Sequence, residues 1–442
     1  MIEELTGSPL PPARKNPWSW VPTLYFAEGI PYVVVMTVSV IMYKRLGISN
    51  TDIALYTSWL YLPWVIKPLW SPFVDMFKTK RFWVTTLQLL IGVSLALVAL
   101  ALPLPSFFQG TLAVFWLMAF GSATHDIAAD GFYMLALDQH QQAAFVGVRS
   151  MFYRVAMITG QGILVVFAGT IETSGFLGSA GGDIPFAWSM TFGVLSATFL
   201  LFFLYHQFVL PRPAVDRSTR QDPSGSMWQE FVHVFVLFFR KDRIGTTLGF
   251  LLLYRFAEAQ LVKLISPFLL DGRDRGGLGL STTEVGLVYG TVGVIALTLG
   301  GLLGGYLVSH RGLRFWLWPM VIIIHFPDLA FVFLSQVQPT DPSLIYAAVA
   351  TEQFGYGFGF TAYVMYMILV SEGEHKTAHY AICTGFMALG MMIPGMFSGW
   401  LQDTIGYRHF FLWVILSTVP GFLVAAFVRI PKEFGRKKLN DG

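Results

Sequence analysis

The chain alternates long apolar stretches with short polar ones. Twelve of the apolar stretches are long enough to cross about 30 Å of hydrocarbon as helices. Six fall at roughly 18–43, 52–76, 82–104, 107–137, 143–172 and 186–210, and six more at roughly 244–270, 281–308, 314–336, 343–371, 376–402 and 406–430. A helix closes its own backbone hydrogen bonds, which lipid cannot satisfy, so the pattern predicts an all-α polytopic membrane protein with 12 transmembrane helices. Polar segments divide it into a proline-rich N-terminal tail (1–17), a six-helix half (18–210), a linker (211–243), a second six-helix half (244–430) and a basic tail (431–442). In the linker Trp228, Phe231, Phe235 and Phe238 recur at helical spacing ahead of Arg240 and Lys241. That spacing predicts a short amphipathic helix on the membrane surface, with an early start to the seventh span as the alternative.

Charge fixes the orientation. With this span count, 19 Lys and Arg lie on the side of the termini and 5 on the other. Basic residues accumulate on the cytoplasmic side, so both termini are expected in the cytoplasm. Only 12% of the 442 residues are charged and 55% are hydrophobic, against about 25% charged in a soluble domain. The net charge of +3 therefore reflects membrane orientation, and no nucleic-acid partner is expected. One cysteine, Cys383, and nine histidines without a ligand-type spacing predict no metal site and no cofactor. No nucleophile elbow or nucleotide loop is present, which argues against an enzyme.

The two halves repeat. Phe26-Ala27-Glu28 returns as Phe256-Ala257-Glu258, Leu46 to Asp52 as Leu278 to Glu284, and Arg81-Phe82-Trp83 as Arg314-Phe315-Trp316, at offsets of 230 to 233. Parallel six-helix repeats are the internal symmetry of the major facilitator fold. Ser49 and Ser281 are placed to cap the second and eighth helices, with Asp52 and Glu284 three residues on. The acidic-then-basic stretch Asp75 to Arg81 resembles the facilitator loop between helices two and three, so Asp75 and Arg81 are gating candidates. A plain topogenic loop is the other reading.

Charged residues at bilayer depth cannot face lipid, so they line a wet cavity or pair with one another. In the fourth span Asp126, Asp130 and Tyr133 share one helix face; the fifth carries Arg149, Arg154 and Gln161. Asp126 or Asp130 is the candidate proton carrier, with Arg154 or Arg149 as its conformation-dependent partner, because a carboxylate beside an arginine stays charged and one desolvated alone takes up a proton. A permanent salt bridge between spans four and five is the alternative. Glu28, flanked by Tyr25 and Tyr32, and Arg255, Glu258, Glu352, Tyr356 and Gln161 are the candidate substrate contacts. Aromatic rings beside polar groups suit a sugar. For Glu258 the competing role is to neutralise Arg255. His325 and Asp328 in span nine are left outside the site, as that helix is usually peripheral in this fold.

Ala123-Thr124-His125-Asp126-Ile127-Ala128-Ala129-Asp130 resembles the fourth helix of the AmpG family, the anhydromuropeptide permeases of the major facilitator superfamily. Val148-Arg149-Ser150 with Tyr153-Arg154, Leu69 to Asp75, and Thr377 to Ile382 resemble further segments of that family. His125 and His379 stand where the family has glutamine. The resemblance implies proton-driven import of GlcNAc-anhydro-muropeptides across the bacterial inner membrane for cell-wall recycling, by a monomer whose partners are the amino-sugar peptide, protons and lipid. A carrier of siderophores or acetyl-CoA-type compounds, or a non-transporting sensor of wall fragments, are the alternatives.

Overall fold

The computed structural model describes residues 15–175, 181–216 and 226–436. Residues 1–14, 217–225 and 437–442 of the two tails and the linker lie outside the described residues. In chain order the helices are α1 (Pro17–Arg45), α2 (50–76), α3 (Lys80–Ala101), α4 (Phe107–Ala136), α5 (139–174) and α6 (Ile184–Val209), then α7 (Ser226–Phe239). They continue as α8 (244–270), α9 (Thr282–Arg311), α10 (Leu313–Val337) and α11 (Pro342–Ser371). The last stretch, Lys376–Phe427, is 52 residues long, about 78 Å if straight and more than twice the hydrocarbon thickness. It folds back at Gly406, whose φ of +75° no side chain adopts easily, which divides it into α12 (376–405) and α13 (407–427).

Among the described residues nine stretches are both long and apolar enough to cross a bilayer. Two spans expected from the sequence are interrupted: α2 turns at Leu60 and Tyr61, and α8 at Tyr254 and Arg255. The first is closely followed by Pro63, which has no N–H to carry the ladder across the turn; the second has no proline at the turn. At the second, the Tyr363 hydroxyl donates to the Leu251 carbonyl at 2.6 Å and that of Tyr254 to Gly359 O at 3.0 Å. Tyr363 of α11 thus supplies a hydrogen bond to a carbonyl at the break in α8. α1, α5 and α9 each hold a widened π-helical stretch, at Val34–Val38, Thr159–Leu164 and Gly286–Gly293. π turns gather at functional places. Here they lie in helices that meet across the middle of the molecule.

Both repeated caps form. Ser49 Oγ accepts from Asp52 N at 3.0 Å, and Ser281 and Glu284 make a complete capping box. α7 lays Phe238 onto α12 beside His379 and Phe386. His379 is buried there.

α1–α6 meet α8–α13 at two glycine crossings. A Cβ on Gly290 of α9 would stand 1.9 Å from Gln161 O of α5, and one on Gly399 of α12 1.9 Å from Asn50 O of α2. Gly290→Ala is therefore expected to destabilise the protein by about 2–3 kcal/mol through overpacking. Gly193→Ala, with nothing near its missing Cβ, should leave it unchanged. Thermal unfolding of both variants in detergent checks this; equal midpoints would show that the crossing yields.

Candidate functional site

The buried charges form two clusters and a clasp. In the first cluster α4 presents two aspartates one turn apart. Asp130 Oδ1 pairs with Arg149 Nη2 of α5 at 2.7 Å and accepts from the Tyr25 hydroxyl of α1 at 3.0 Å. The Arg149 guanidinium lies over the rings of Tyr25 (4.5 Å) and Tyr133 (5.4 Å), so it is held by a carboxylate and two aromatic faces. Asp126 pairs with Lys67 of α2. Glu28 lies against the Asp126 carboxyl, and its Oε2 has no hydrogen-bond partner among the described residues. The sequence offered Arg149 or Arg154 as the partner of these aspartates. Arg149 takes Asp130, whereas Asp126 is met by Lys67 of α2. Among the described residues neither ion pair involves Arg154. A lysine at that depth signals a buried partner, but not which one, since α2 and α4 are brought together only by packing.

Behind this cluster a polar chain crosses four helices. Thr23 Oγ1 meets His206 Nε2 at 3.0 Å, His206 Nδ1 meets Gln88 Oε1 at 2.8 Å, and Gln88 Nε2 meets His125 Nε2 at 3.1 Å. His125, His206 and Gln88 are fully buried. The histidine that departs from the family pattern is thus tied to α3 and α6, next in sequence to Asp126.

The second cluster hangs on the break in α8. Arg255, at the turn, donates from Nη2 to the Tyr356 hydroxyl of α11 and lies over the rings of Phe360 (4.7 Å) and Tyr356 (5.0 Å). Glu258 does not stop at neutralising Arg255. It meets Glu352 of α11 and Asp328 of α10, with one carboxylate oxygen of each residue within 4.8 Å of the others. The exclusion of Asp328 from the site is therefore corrected. A 3₁₀ turn at Phe326–Asp328 interrupts α10, and Gly355 lets Pro327 approach α11 so closely that a Cβ would stand 2.7 Å from its ring.

Between the clusters, Tyr32 packs edge-on against Trp64 at 5.3 Å and lies near Tyr61. Lys263 of α8 donates to Thr57 Oγ1 of α2 at 2.9 Å and lies 5.6 Å from the Tyr61 ring centre. It lines a cavity with Thr37, Tyr61, Ser266 and Met391. Among the described residues no carboxylate pairs with it. Gln161 sits in the widened turn of α5 with its carbonyl on Gly290. Of the gating candidates, Arg81 donates to Gln207 O of α6, and its amide to Asp216 at 3.1 Å. The side chain of Asp75 lies outside the described residues.

The clasp was not foreseen. Where α1 ends and α2 begins, Lys44 pairs with Asp271 at 2.7 Å. Asp271 also accepts from Tyr407 at 2.7 Å and from Asn50 at 3.4 Å, and Thr51 donates to Asp403 at 2.6 Å. Alongside, Glu172 of α5 holds Arg45 (3.0 Å) and Trp188 (3.0 Å) of its own half and Thr282 (2.7 Å) of the other. Apart from Lys263 to Thr57, the side-chain polar contacts between α1–α6 and α8–α13 among the described residues gather at this one end.

Residues 23–368 match the family model of the Major Facilitator Superfamily. The chain belongs to that superfamily. Its all-helical architecture agrees with solved facilitators at low identity, which shows the fold. The nucleoside transporter NupG aligns with a TM-score of 0.67 at 14% identity over 92% of this chain and 97% of its own. A D-xylose-proton symporter aligns with a TM-score of 0.66 at 14% identity over 96% and 99%. Among curated facilitators, the chain is 25% identical to the transporter AmpG 4 of Rickettsia conorii over 92% of this chain and 94% of that one. It is 26% identical to the anhydromuropeptide permease of Escherichia coli over 95% and 80%. This facilitator is accordingly AmpG-like, a transporter rather than an enzyme, and a multi-pass protein of the bacterial inner membrane.

Proposed function

We propose that the protein imports GlcNAc-anhydro-muropeptides into the cytoplasm, driven by protons, through alternating access of two six-helix halves. The observation that carries the reading is the first cluster: two aspartates on one face of α4, each held by a base from a neighbouring helix, with Glu28 against one of them. A carboxylate paired with a base holds its charge, and a proton on it releases the base. Lys67 lies on the segment of α2 beyond the turn at Leu60 and Tyr61, and that segment packs on α12, where a Cβ on Gly385 would stand 2.8 Å from Val65 O. Protonation at Asp126 thus frees a hinged segment that bears on the other half. Asp130, Arg149 and Arg154 are assigned to the same proton machinery.

The substrate is placed between the clusters. Arg255 and Lys263 supply positive charge for the peptide carboxylates. Tyr25, Tyr32, Tyr61 and Tyr356 supply rings and hydroxyls for the sugars, and Gln161, Glu28, Glu258 and Glu352 line the edges. Twelve spans with both termini cytoplasmic put the clasp on the periplasmic side, so this conformation is closed outward. Asp75 and Arg81 then lie at the cytoplasmic gate. The protein is taken to act as a monomer.

The test is uptake of labelled GlcNAc-anhydro-muropeptide into proteoliposomes with an imposed inward proton gradient. Accumulation is expected, collapsing with a protonophore and lost in Asp130→Asn. A folded protein that ignores this compound and accumulates a siderophore or an acyl-CoA compound would sink the substrate. Accumulation indifferent to the protonophore would sink the coupling.

A further inference from the structure

The two clusters are built from similar parts, and one part is missing from the second. In the first, three carboxyls (Glu28, Asp126, Asp130) face two bases, Lys67 and Arg149. In the second, Glu258, Asp328 and Glu352 stand oxygen to oxygen within 4.8 Å and are at most 1% exposed. Five of their six oxygens have no hydrogen-bond partner among the described residues; Glu352 Oε2 alone accepts, from Gln353 Nε2 at 2.9 Å. Both oxygens of Asp328 are orphaned and fully buried at this meeting point. The charged and titratable groups around the trio are Arg255, Tyr289 and Tyr356. Arg255 directs its Nη2 to the Tyr356 hydroxyl. Among the described residues no second base plays the part of Lys67.

We propose that Glu258, Asp328 and Glu352 form a binding site for a small, hard monovalent cation of sodium's size, held jointly by α8, α10 and α11. Unpaired buried carboxylates are strongly disfavoured unless a counter-ion or donors meet them. Carboxylate oxygens prefer hard cations. An ion centred among oxygens within 4.8 Å of one another stands at most about 2.8 Å from each, close to the roughly 2.3–2.6 Å typical of calcium, and sodium is close to calcium in radius. Magnesium, by contrast, demands about 2.0–2.1 Å and near-ideal octahedral geometry, which acids from three separate helices do not supply. One added positive charge gives the second cluster what Lys67 gives the first, three acids against two positive charges. It also remains releasable, as an ion that travels with the transport cycle must be. The site does not depend on the muropeptide reading, and it gives the C-terminal half an ion of its own beside the proton assigned to the N-terminal half.

The test uses the full-length protein in detergent, with thermal unfolding followed as sodium replaces choline at constant ionic strength, at mildly acidic and mildly alkaline pH. The wild-type midpoint is expected to rise saturably with sodium, more at alkaline pH, where protons compete less. Asp328→Asn and Glu352→Gln should lose the sodium response while unfolding in choline at or above the wild-type midpoint, since each removes an orphaned charge. Should one variant fail to fold, the other and the wild-type titration still decide. A wild-type midpoint equal in sodium and choline at both pH values would overturn the proposal and leave the trio to protons. A response to calcium but not sodium would overturn the monovalent assignment, and a sodium response undiminished in both variants would place the ion elsewhere.

Discussion

Lys67→Met is expected to cost about 3 kcal/mol of stability and to lower proton-driven uptake about a hundredfold. The ammonium of Lys67 is the counter-charge of Asp126, and Glu28 lies on the other side of that aspartate. Removing one member of a buried pair leaves the other uncompensated, at about 3–5 kcal/mol. Both side chains keep about a quarter of their surface exposed, so the lower end applies. At tenfold per roughly 1.4 kcal/mol, a loss near 3 kcal/mol in the conformations that carry the pair is about a hundredfold in their population. Lys67→Met combined with Asp126→Asn removes the orphaned charge with its partner. The double variant should melt near wild type and still fail to accumulate substrate. Melting curves and proteoliposome uptake on the three proteins check both halves of the statement. A double variant as unstable as Lys67→Met would mean that Lys67 supports the helix by packing and not by charge.

The second large effect belongs to the clasp. Asp271 takes the Lys44 ammonium, the Tyr407 hydroxyl and, more loosely, the Asn50 amide, with its side chain 8% exposed. Asp271→Leu leaves the lysine and the tyrosine without that acceptor. Lys44 keeps Asn50 Oδ1 at 2.8 Å, so a loss of about 3 kcal/mol is expected rather than the upper end of the range. The loss falls on the closed arrangement of this end alone and so shifts the molecule toward opening there. The readout is a cysteine placed at Val40, which lines the central cavity, in a background where the buried Cys383 is serine. A membrane-impermeant thiol reagent added from the clasp side should react more than about tenfold faster when Asp271 is leucine. Unchanged labelling with a lowered melting point would make the clasp a structural tie and not a gate.

How far the sequence carried can be traced through particular residues. Span positions, the all-α class and the repeated caps at Ser49 and Ser281 were legible because bilayer thickness and helix termini act locally on the chain. The Phe-Ala-Glu repeat marks two glutamates that are both buried, in separate clusters. What was not legible depends on helices finding one another. Asn50 touches Tyr407 across 357 residues, and no periodicity announces that. Asp328 was set aside because its helix is usually peripheral, and only a short 3₁₀ turn with a glycine opposite brings it to Glu258. The break at Tyr254 and Arg255 carries neither glycine nor proline, so its cause is tertiary, with the Tyr363 hydroxyl taking over as donor.

The widened turns in α1, α5 and α9 have a mechanical meaning. A π turn is one residue too many in an otherwise regular helix, and it can migrate along the axis by exchanging neighbouring hydrogen bonds, with none lost in the balance. Each residue it passes is rotated by about 100°, while the helix ends stay where they are. Wide turns of this kind lie on both sides of the contact between Gln161 and Gly290, and a third lies in the helix that carries Glu28. The middle of this protein can therefore re-aim single side chains independently of any rocking of its halves. One motion would be read in changes of side-chain facing, the other in changes of distance.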